Sequence, residues 1–204
     1  MTMNKKILIG DDHAMIRKGL RTILTFNLGY TDIKEAVSCH EILKELKQDV
    51  YTHLILDIVL QDGYIMEILP YITRLYPNSR ILIFSMQPEE VYRKVLLQYG
   101  IHHYISKNLL EGETISHFGR FLNNEHSIQE NVSKDIPNNP FSSLSARELE
   151  VFHYLIEGIG THEIGARLSI KGNTASTIKT RILEKTNCKN VKELAELATL
   201  YNIT

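Results

Sequence analysis

The sequence predicts an α/β domain with a doubly wound, five-stranded parallel sheet, followed by a small all-α domain of four helices. Three observations carry this. Between residues 3 and 123, short aliphatic runs alternate five times with amphipathic stretches, the pattern of repeated strand–helix crossovers. Residues 124–143 turn polar, Asn-rich and Pro-punctuated, as a linker does. Beyond Phe141 strand signals vanish, and residues 144–204 carry only helical periodicity.

The chain's 204 residues are 43% hydrophobic, enough for real cores, and its net charge is -1, so no global attraction to nucleic acid or membrane is implied. Cys39 and Cys188 are far apart and neither sits in a metal-binding spacing. With no secretory signal, this points to a reducing cytoplasm. No apolar run approaches the roughly 18–20 residues of a membrane span, so no membrane partner is expected.

The first strand is expected over 5–10. A helix follows with Met15, Ile16, Leu20, Ile23 and Leu24 at helical spacing. Ile33 to Val37 reads as a second strand, and Ile42, Leu43 and Leu46 mark the next helix. The third strand carries Leu54-Ile55-Leu56 into Asp57, with Ile58-Val59-Leu60 beyond it and a turn at Asp62-Gly63. A helix is expected through Ile65–Leu75, a strand over 80–85, and a helix opened by Pro88 and closed at Tyr99-Gly100. A short strand at His103-Tyr104-Ile105 and a helix from about Leu109 to Leu122 complete the domain. In the second domain Ser145 and Glu148 form a capping box ahead of an apolar stripe of Val151, Phe152 and Leu155. Helices over 161–168, from about Thr174, and around Val191–Ala198 follow.

Asp57 organises the chemistry. A carboxylate at the end of a buried strand needs a partner. Two other strand ends supply groups: Asp11-Asp12 after Ile7-Leu8-Ile9, and Ser85 after Arg80–Phe84. Carboxyl ends of parallel strands converge on one crevice, and Lys107 follows the last strand. Carboxylates so close call for a cation between them, and all-oxygen ligands suit Mg²⁺. An Asp beside Mg²⁺ and a lysine is an arrangement for taking up a phosphoryl group, with Ser85 and Lys107 holding two of its oxygens. Taken singly, each residue has a plainer role: Asp11-Asp12 as a helix cap, Ser85 as a strand-end hydroxyl, Tyr104 as a core aromatic, Lys107 as a solvated loop lysine.

With Asp11-Asp12, Asp57, Ser85 and Lys107 after Tyr104-Ile105-Ser106 in this order, residues 3–123 resemble a response-regulator receiver domain, which implies a flavodoxin-like fold. The resemblance implies that Asp57 is the phospho-acceptor, served by a sensor histidine kinase. It assigns Mg²⁺ to Asp11, Asp12, Asp57 and the Val59 carbonyl, and the aromatic switch to Tyr104. The chain departs from the pattern at Gln61, where Pro is usual, at Ile65, where Gly is expected, and at Met86, where a small residue normally follows the switch hydroxyl. Met86 in particular would narrow access to Asp57, which keeps a phosphorylation-independent regulator in view. An Asp-nucleophile phosphatase would want a second Asp where Val59 stands, so no enzyme is expected.

Leu144–Val151, Gly158, Glu163–Leu168, Ile170, Thr174, Ile182 and Lys185 make residues 144–204 similar to the LuxR-type helix-turn-helix of the NarL/FixJ class. Two helices joined by a tight turn at 170–173 suit insertion into a major groove. Residues 169–192 hold six Lys or Arg against Glu184, a local charge of +5 in a near-neutral chain and a footprint of phosphate contact on double-stranded DNA. Thr174 and Ser176 are expected at phosphates, Thr177 and Thr180 at base edges, and Lys179 and Arg181 at either. Ser176 replaces the lysine usual in the family, which leaves an interaction-only module as a rival. Val191, Leu194, Leu197 and Ala198 match the family's dimerisation helix, implying a homodimer on DNA; their plainer role is packing within the domain.

Overall fold

The computed structural model describes residues 5–125 and 139–203. The stretch 126–138, most of the expected linker, lies outside the described residues. Two compact units emerge: residues 5–86 with 97–125, and residues 87–96 with 139–203. The second therefore takes in a stretch that the boundary at 123 would place in the first.

Strands β1 (Ile7–Gly10), β2 (Ile33–Ala36), β3 (His53–Leu56), β6 (Arg80–Ser85) and β7 (His103–Ser106) form one sheet in the order β2-β1-β3-β6-β7. All four pairings are parallel. The expected five-stranded, flavodoxin-like sheet is what the chain forms. The middle of each inner strand is apolar because both faces are covered. On one face Ile7, Ile9, Ile55, Leu82, Phe84 and Ile105 pack with Leu20 and Leu24 and with Phe118, Phe121 and Leu122. Leu8, Leu54, Leu56 and Ile83, which alternate with them, are buried as well. Gly10 ends β1 where a Cβ would lie 2.6 Å from Ile42 Cδ1 and 2.9 Å from Leu56 Cδ2, so no larger residue fits without displacing both.

The helices are α1 (Ala14–Thr22), α2 (Cys39–Gln48), α3 (Leu69–Leu75), α4 (Glu89–Gln98) and α5 (Glu111–Leu122). Three details differ from expectation. α1 loosens into a π-turn at Ile23–Asn27, with the Leu28 amide donating to the Ile23 carbonyl at 3.2 Å. The helix expected from Ile65 begins as a 3₁₀ turn, Ile65–Glu67. Strand β3 stops at Leu56, and Ile58–Tyr64 instead builds a hairpin of β4 (Val59–Leu60) and β5 (Gly63–Tyr64). The hairpin is anchored to the start of α2: Asp62 accepts from the Cys39 and His40 amides at 2.6 and 3.0 Å. The Gln61 amide donates to the Val37 carbonyl at 3.2 Å, a bond that the usual proline cannot make.

His53, 4% exposed in β3, meets the edge of Phe121 at 5.1 Å. Burial, reinforced by the Lys5 and Arg80 charges, lowers its pKa to about 4. The unfolded value is about 6.5. A depressed folded pKa means stability fully present above the unfolded value and lost as pH falls toward the folded one. At pH 5 this group is expected to cost the first unit about 2 kcal/mol relative to pH 7. Urea unfolding at both pH values checks it: the midpoint should drop less in His53→Phe than in the unaltered protein, and equal drops would assign the effect elsewhere.

The second unit holds a 3₁₀ turn, Pro140–Ser143, and helices α6 (Ala146–Ile156), α7 (Thr161–Arg167), α8 (Gly172–Thr186) and α9 (Val191–Leu200). The capping box is present: the Ser145 amide donates to Glu148 Oε2 at 2.8 Å and Ser145 Oγ accepts from the Glu148 amide. Burial alone would raise the Glu148 pKa, but Lys185 Nζ at 2.6 Å and the Ser145 bonds outweigh it and hold the carboxyl below its usual range. Phe141 and Phe152, ring centres 4.9 Å apart, sit in the core with Leu149, Ile164, Ile182, Leu194 and Ala198. No helix among the described residues is long and apolar enough to cross a membrane.

Candidate functional site

The sheet order places the carboxyl ends of β1, β3, β6 and β7 side by side. Asp57 follows β3, and its amide donates to the Gly10 carbonyl at 2.8 Å, tying the two strand ends together. Its two oxygens have different partners. Oδ1 accepts from Ser85 Oγ at 2.5 Å and from the Ile58 amide at 2.7 Å; Oδ2 faces Lys107 Nζ at 2.5 Å. Lys107 also stands 2.7 Å from Asp11 Oδ2. Its amide donates to the Ser85 carbonyl at 2.9 Å, so the β6 and β7 ends deliver hydroxyl and ammonium together. Asp11, Asp57 and Ser85 are nearly inaccessible, at 1%, 5% and 1% exposed. One ammonium among three carboxylates leaves the pocket net negative, which suits a divalent cation.

Ligand atoms of Asp11, Asp12, Asp57 and also His13 lie within 4.8 Å of one another. The first three are the expected set, and their oxygens suit Mg²⁺. His13 was missed: directly after Asp-Asp it looks like the first residue of a helix, and only the fold turns it over the carboxylates. The loop is braced by Arg17, whose Nη1 donates to the Asp11 carbonyl at 2.9 Å and whose Nε reaches Glu35 at 3.1 Å. Val59 lies two residues beyond Asp57, at the start of β4. Tyr104 is buried in β7. Met86, which follows Ser85, is 55% exposed.

In the second unit α7 and α8 form the expected crossing pair. Thr174, Ser176, Thr177, Thr180 and Arg181 are exposed, while Ala175, Ile178 and Ile182 turn inward. Asn173, Thr174, Thr177, Ile178 and Arg181 line one shallow groove, in which Asn173 had not been anticipated. Ser176 Oγ donates to Thr161 Oγ1 at 3.2 Å, and Thr177 and Thr180 donate to the carbonyls of Asn173 and Ser176. Lys179 is half-buried on the helix flank, off the stripe formed by 173, 177 and 181. Lys185 is engaged by Glu148 and the Ser143 carbonyl.

On α9 the four expected dimerisation residues divide. Leu194 and Ala198 are 0% and 1% exposed, and so belong to their own domain's core; Val191 and Leu197 remain half-exposed. A Leu194→Glu change would therefore report on folding rather than on dimerisation. Leu200, 78% exposed, adds apolar surface to this helix.

Comparison with known proteins agrees with this architecture. Residues 7–118 match the response regulator receiver domain, and residues 142–198 match the bacterial regulatory proteins of the luxR family. The oxygen regulatory protein NreC of Staphylococcus carnosus is 30% identical over 208 residues, spanning 95% of this chain and 96% of that one. RcsB of Salmonella enterica serovar Typhimurium, bound to promoter P1flhDC with phosphomimetic BeF3-, superposes with a TM-score of 0.82 at 21% identity, covering 97% of this chain and 99% of that one. An RcsB–DNA complex gives 0.80 at 21% identity, with 95% and 98% covered. These structural likenesses are of fold; the sequence matches carry the kinship. With the receiver matched over more than half its length and a relative aligned nearly end to end, the chain belongs to the NarL/FixJ class of response regulators, DNA-binding transcription regulators that join a receiver domain to a LuxR-type helix-turn-helix.

Proposed function

We propose that this regulator is switched by a phosphoryl group transferred to Asp57 from a sensor histidine kinase. The observation that carries the reading is the convergence of Ser85 Oγ and Lys107 Nζ, each 2.5 Å from a different Asp57 oxygen. A carboxylate held this way presents a fixed nucleophile. After transfer the same hydroxyl and ammonium stand where the new phosphoryl oxygens would lie. Asp11, Asp12, Asp57 and the Val59 carbonyl would hold Mg²⁺, which when bound neutralises donor oxygens. Tyr104 pairs with Ile83 in the register of β6 and β7, two residues before Ser85, and is the residue we assign to the aromatic switch.

On the DNA side, α8 enters the major groove. The groove of Asn173, Thr174, Thr177 and Arg181 meets bases and backbone, and Ser176, Thr180 and the flanking Lys179 meet phosphates or base edges. Solved RcsB complexes include two dimers bound to two parallel DNAs. A homodimer on DNA is proposed here too, through the exposed part of α9: Val191, Leu197 and Leu200. The protein would act in the cytoplasm.

Acetyl phosphate with a divalent cation, Phos-tag mobility and operator affinity test the switch. The unaltered protein should shift in mobility and gain DNA affinity, whereas Asp57→Ala should do neither. A second reading has its own support: Ser85 already rests on Asp57 and Tyr104 is already buried. This arrangement suits a regulator active without phosphate. Asp57→Ala binding DNA as tightly as phosphorylated protein would select that reading.

A further inference from the structure

The hydroxyl protons on the exposed side of α8 are already committed within the protein. Ser176 Oγ donates to Thr161 Oγ1 at 3.2 Å, Thr177 Oγ1 to the Asn173 carbonyl at 2.9 Å, and Thr180 Oγ1 to the Ser176 carbonyl at 3.2 Å. A threonine bonded in this way to the turn behind it keeps its hydroxyl against the helix. Thr177 is nonetheless exposed, so what it presents outward is chiefly its γ-methyl, with oxygen lone pairs at the edge. It stands midway along the groove face, with Ile178 beside it and Asn173 and Arg181 one turn to either side. Each of those steps is about 6 Å along the helix axis. The flanking positions carry donors, the Asn173 amide and the Arg181 guanidinium, which suit the hydrogen-bonding edges of adenine and guanine. Between them Thr177 has spent its proton and offers an apolar surface.

We propose that Thr177 reads thymine through its methyl group, which makes the half-site under α8 specific for an A·T pair at that position. The proposal rests on the reading that α8 enters the major groove. Among the groups that base pairs expose there, the 5-methyl of thymine is the apolar one; the others are hydrogen-bond donors and acceptors. Guanine is disfavoured against Thr177, because its N7 and O6 need a donor and the Thr177 proton is held by the Asn173 carbonyl. The hydroxyl's lone pairs can accept only from the amino groups of adenine or cytosine, a chemistry that the test separates from contact with a methyl group.

The test takes the full chain, with and without acetyl phosphate, and selects duplexes from a random pool of double-stranded DNA. Affinity for the selected duplex is then measured by fluorescence anisotropy at fixed salt. The selected half-site should contain an invariant thymine. Replacing that thymine with deoxyuridine, which removes only the methyl, should weaken binding about fourfold per half-site, the worth of one buried methyl group. Thr177→Val keeps a γ-methyl and drops the hydroxyl, and should preserve the preference for thymine over deoxyuridine. Thr177→Ser keeps the hydroxyl and drops the methyl, and should abolish it. The preference is a ratio read within each variant, so a change in overall affinity or in helix stability cancels. A preference that survives in Thr177→Ser, one that disappears in Thr177→Val, or no thymine sensitive to loss of its methyl would overturn the assignment of Thr177. Failure to enrich any sequence from the pool would instead overturn the reading that α8 meets bases at all.

Discussion

Replacing Lys107 with methionine is expected to destabilise the receiver by about 3–5 kcal/mol in the absence of divalent cations. The side chains of Lys107, Asp11 and Asp57 are 3%, 2% and 6% exposed, so water cannot stand in for the missing ammonium. What remains is a pair of buried carboxylates with Asp12 beside them, charges of one sign that repel one another at close range. The opposite substitution has the opposite sign. Asp57→Asn removes one of three negative charges while keeping the side chain's shape, and should raise stability. A divalent cation replaces the lost positive charge, so saturating Mg²⁺ should recover part of the Lys107→Met loss and stabilise that variant more than the unaltered protein. Amide exchange in β1 and β3 reports this unit separately from the other. Exchange in Lys107→Met within about 0.5 kcal/mol of the unaltered protein, or no response to Mg²⁺, would show that the pocket's charges are not coupled in this way.

The same pocket shows what a sequence can disclose. Asp11, Asp57, Ser85 and Lys107 were legible because each stands at the end of an apolar run, and a parallel sheet gathers strand ends on one side. Nothing comparable marks His13, Arg17 or Glu35. Arg17 and Glu35 are separated by 18 residues and meet only because α1 lies along β1 and β2. The β4–β5 hairpin was hidden for a related reason. Ile58-Val59-Leu60 is as apolar as a strand, and what folds it back is Asp62 reaching the amides that open α2, a contact between residues 22 and 23 positions apart.

In the helical unit, periodicity located the helices but not what their faces do. Leu194 and Leu197 are equally apolar in sequence; Leu194 is wholly buried and Leu197 is not, because the core reaches only one side of α9. Charge divides in the same way. Lys185, counted toward the basic stretch, is held by Glu148 at 2.6 Å, so its charge stabilises the capping box before any phosphate. The threonines of α8 read as donors in the sequence, yet Thr177 and Thr180 direct their hydroxyl protons to carbonyls one turn back, leaving lone pairs and methyl groups outward.

Gly165→Val is the most damaging single change expected in the DNA-binding unit. Gly165 lies on α7 against the turn into α8, and its carbonyl accepts from the Ile170 amide at 2.8 Å. A Cβ there would meet the Ile170 carbonyl oxygen at 2.8 Å, the Gly172 nitrogen at 3.1 Å and the Gly172 Cα at 3.3 Å. All three are backbone atoms, so no side chain can swing aside. Ser169, already in the left-handed region at φ 53°, gives the turn little room to adapt. Valine adds two more carbons beyond that Cβ, and relief requires α7 and α8 to part. The expected cost is about 3 kcal/mol, at the upper end for overpacking. The crossing of α7 and α8 sets how Thr174, Thr177 and Arg181 reach the groove of DNA, so affinity should fall by about tenfold or more even where the domain remains folded. Ala166→Val is the control. It adds the same branched side chain to the same helix on an exposed position, and should cost only the few tenths of a kcal/mol of helix propensity. Thermal melting and fluorescence anisotropy on labelled duplex DNA separate the two variants. Identical behaviour would mean that the tight approach of α7 to the turn does not set the geometry of the DNA-binding pair.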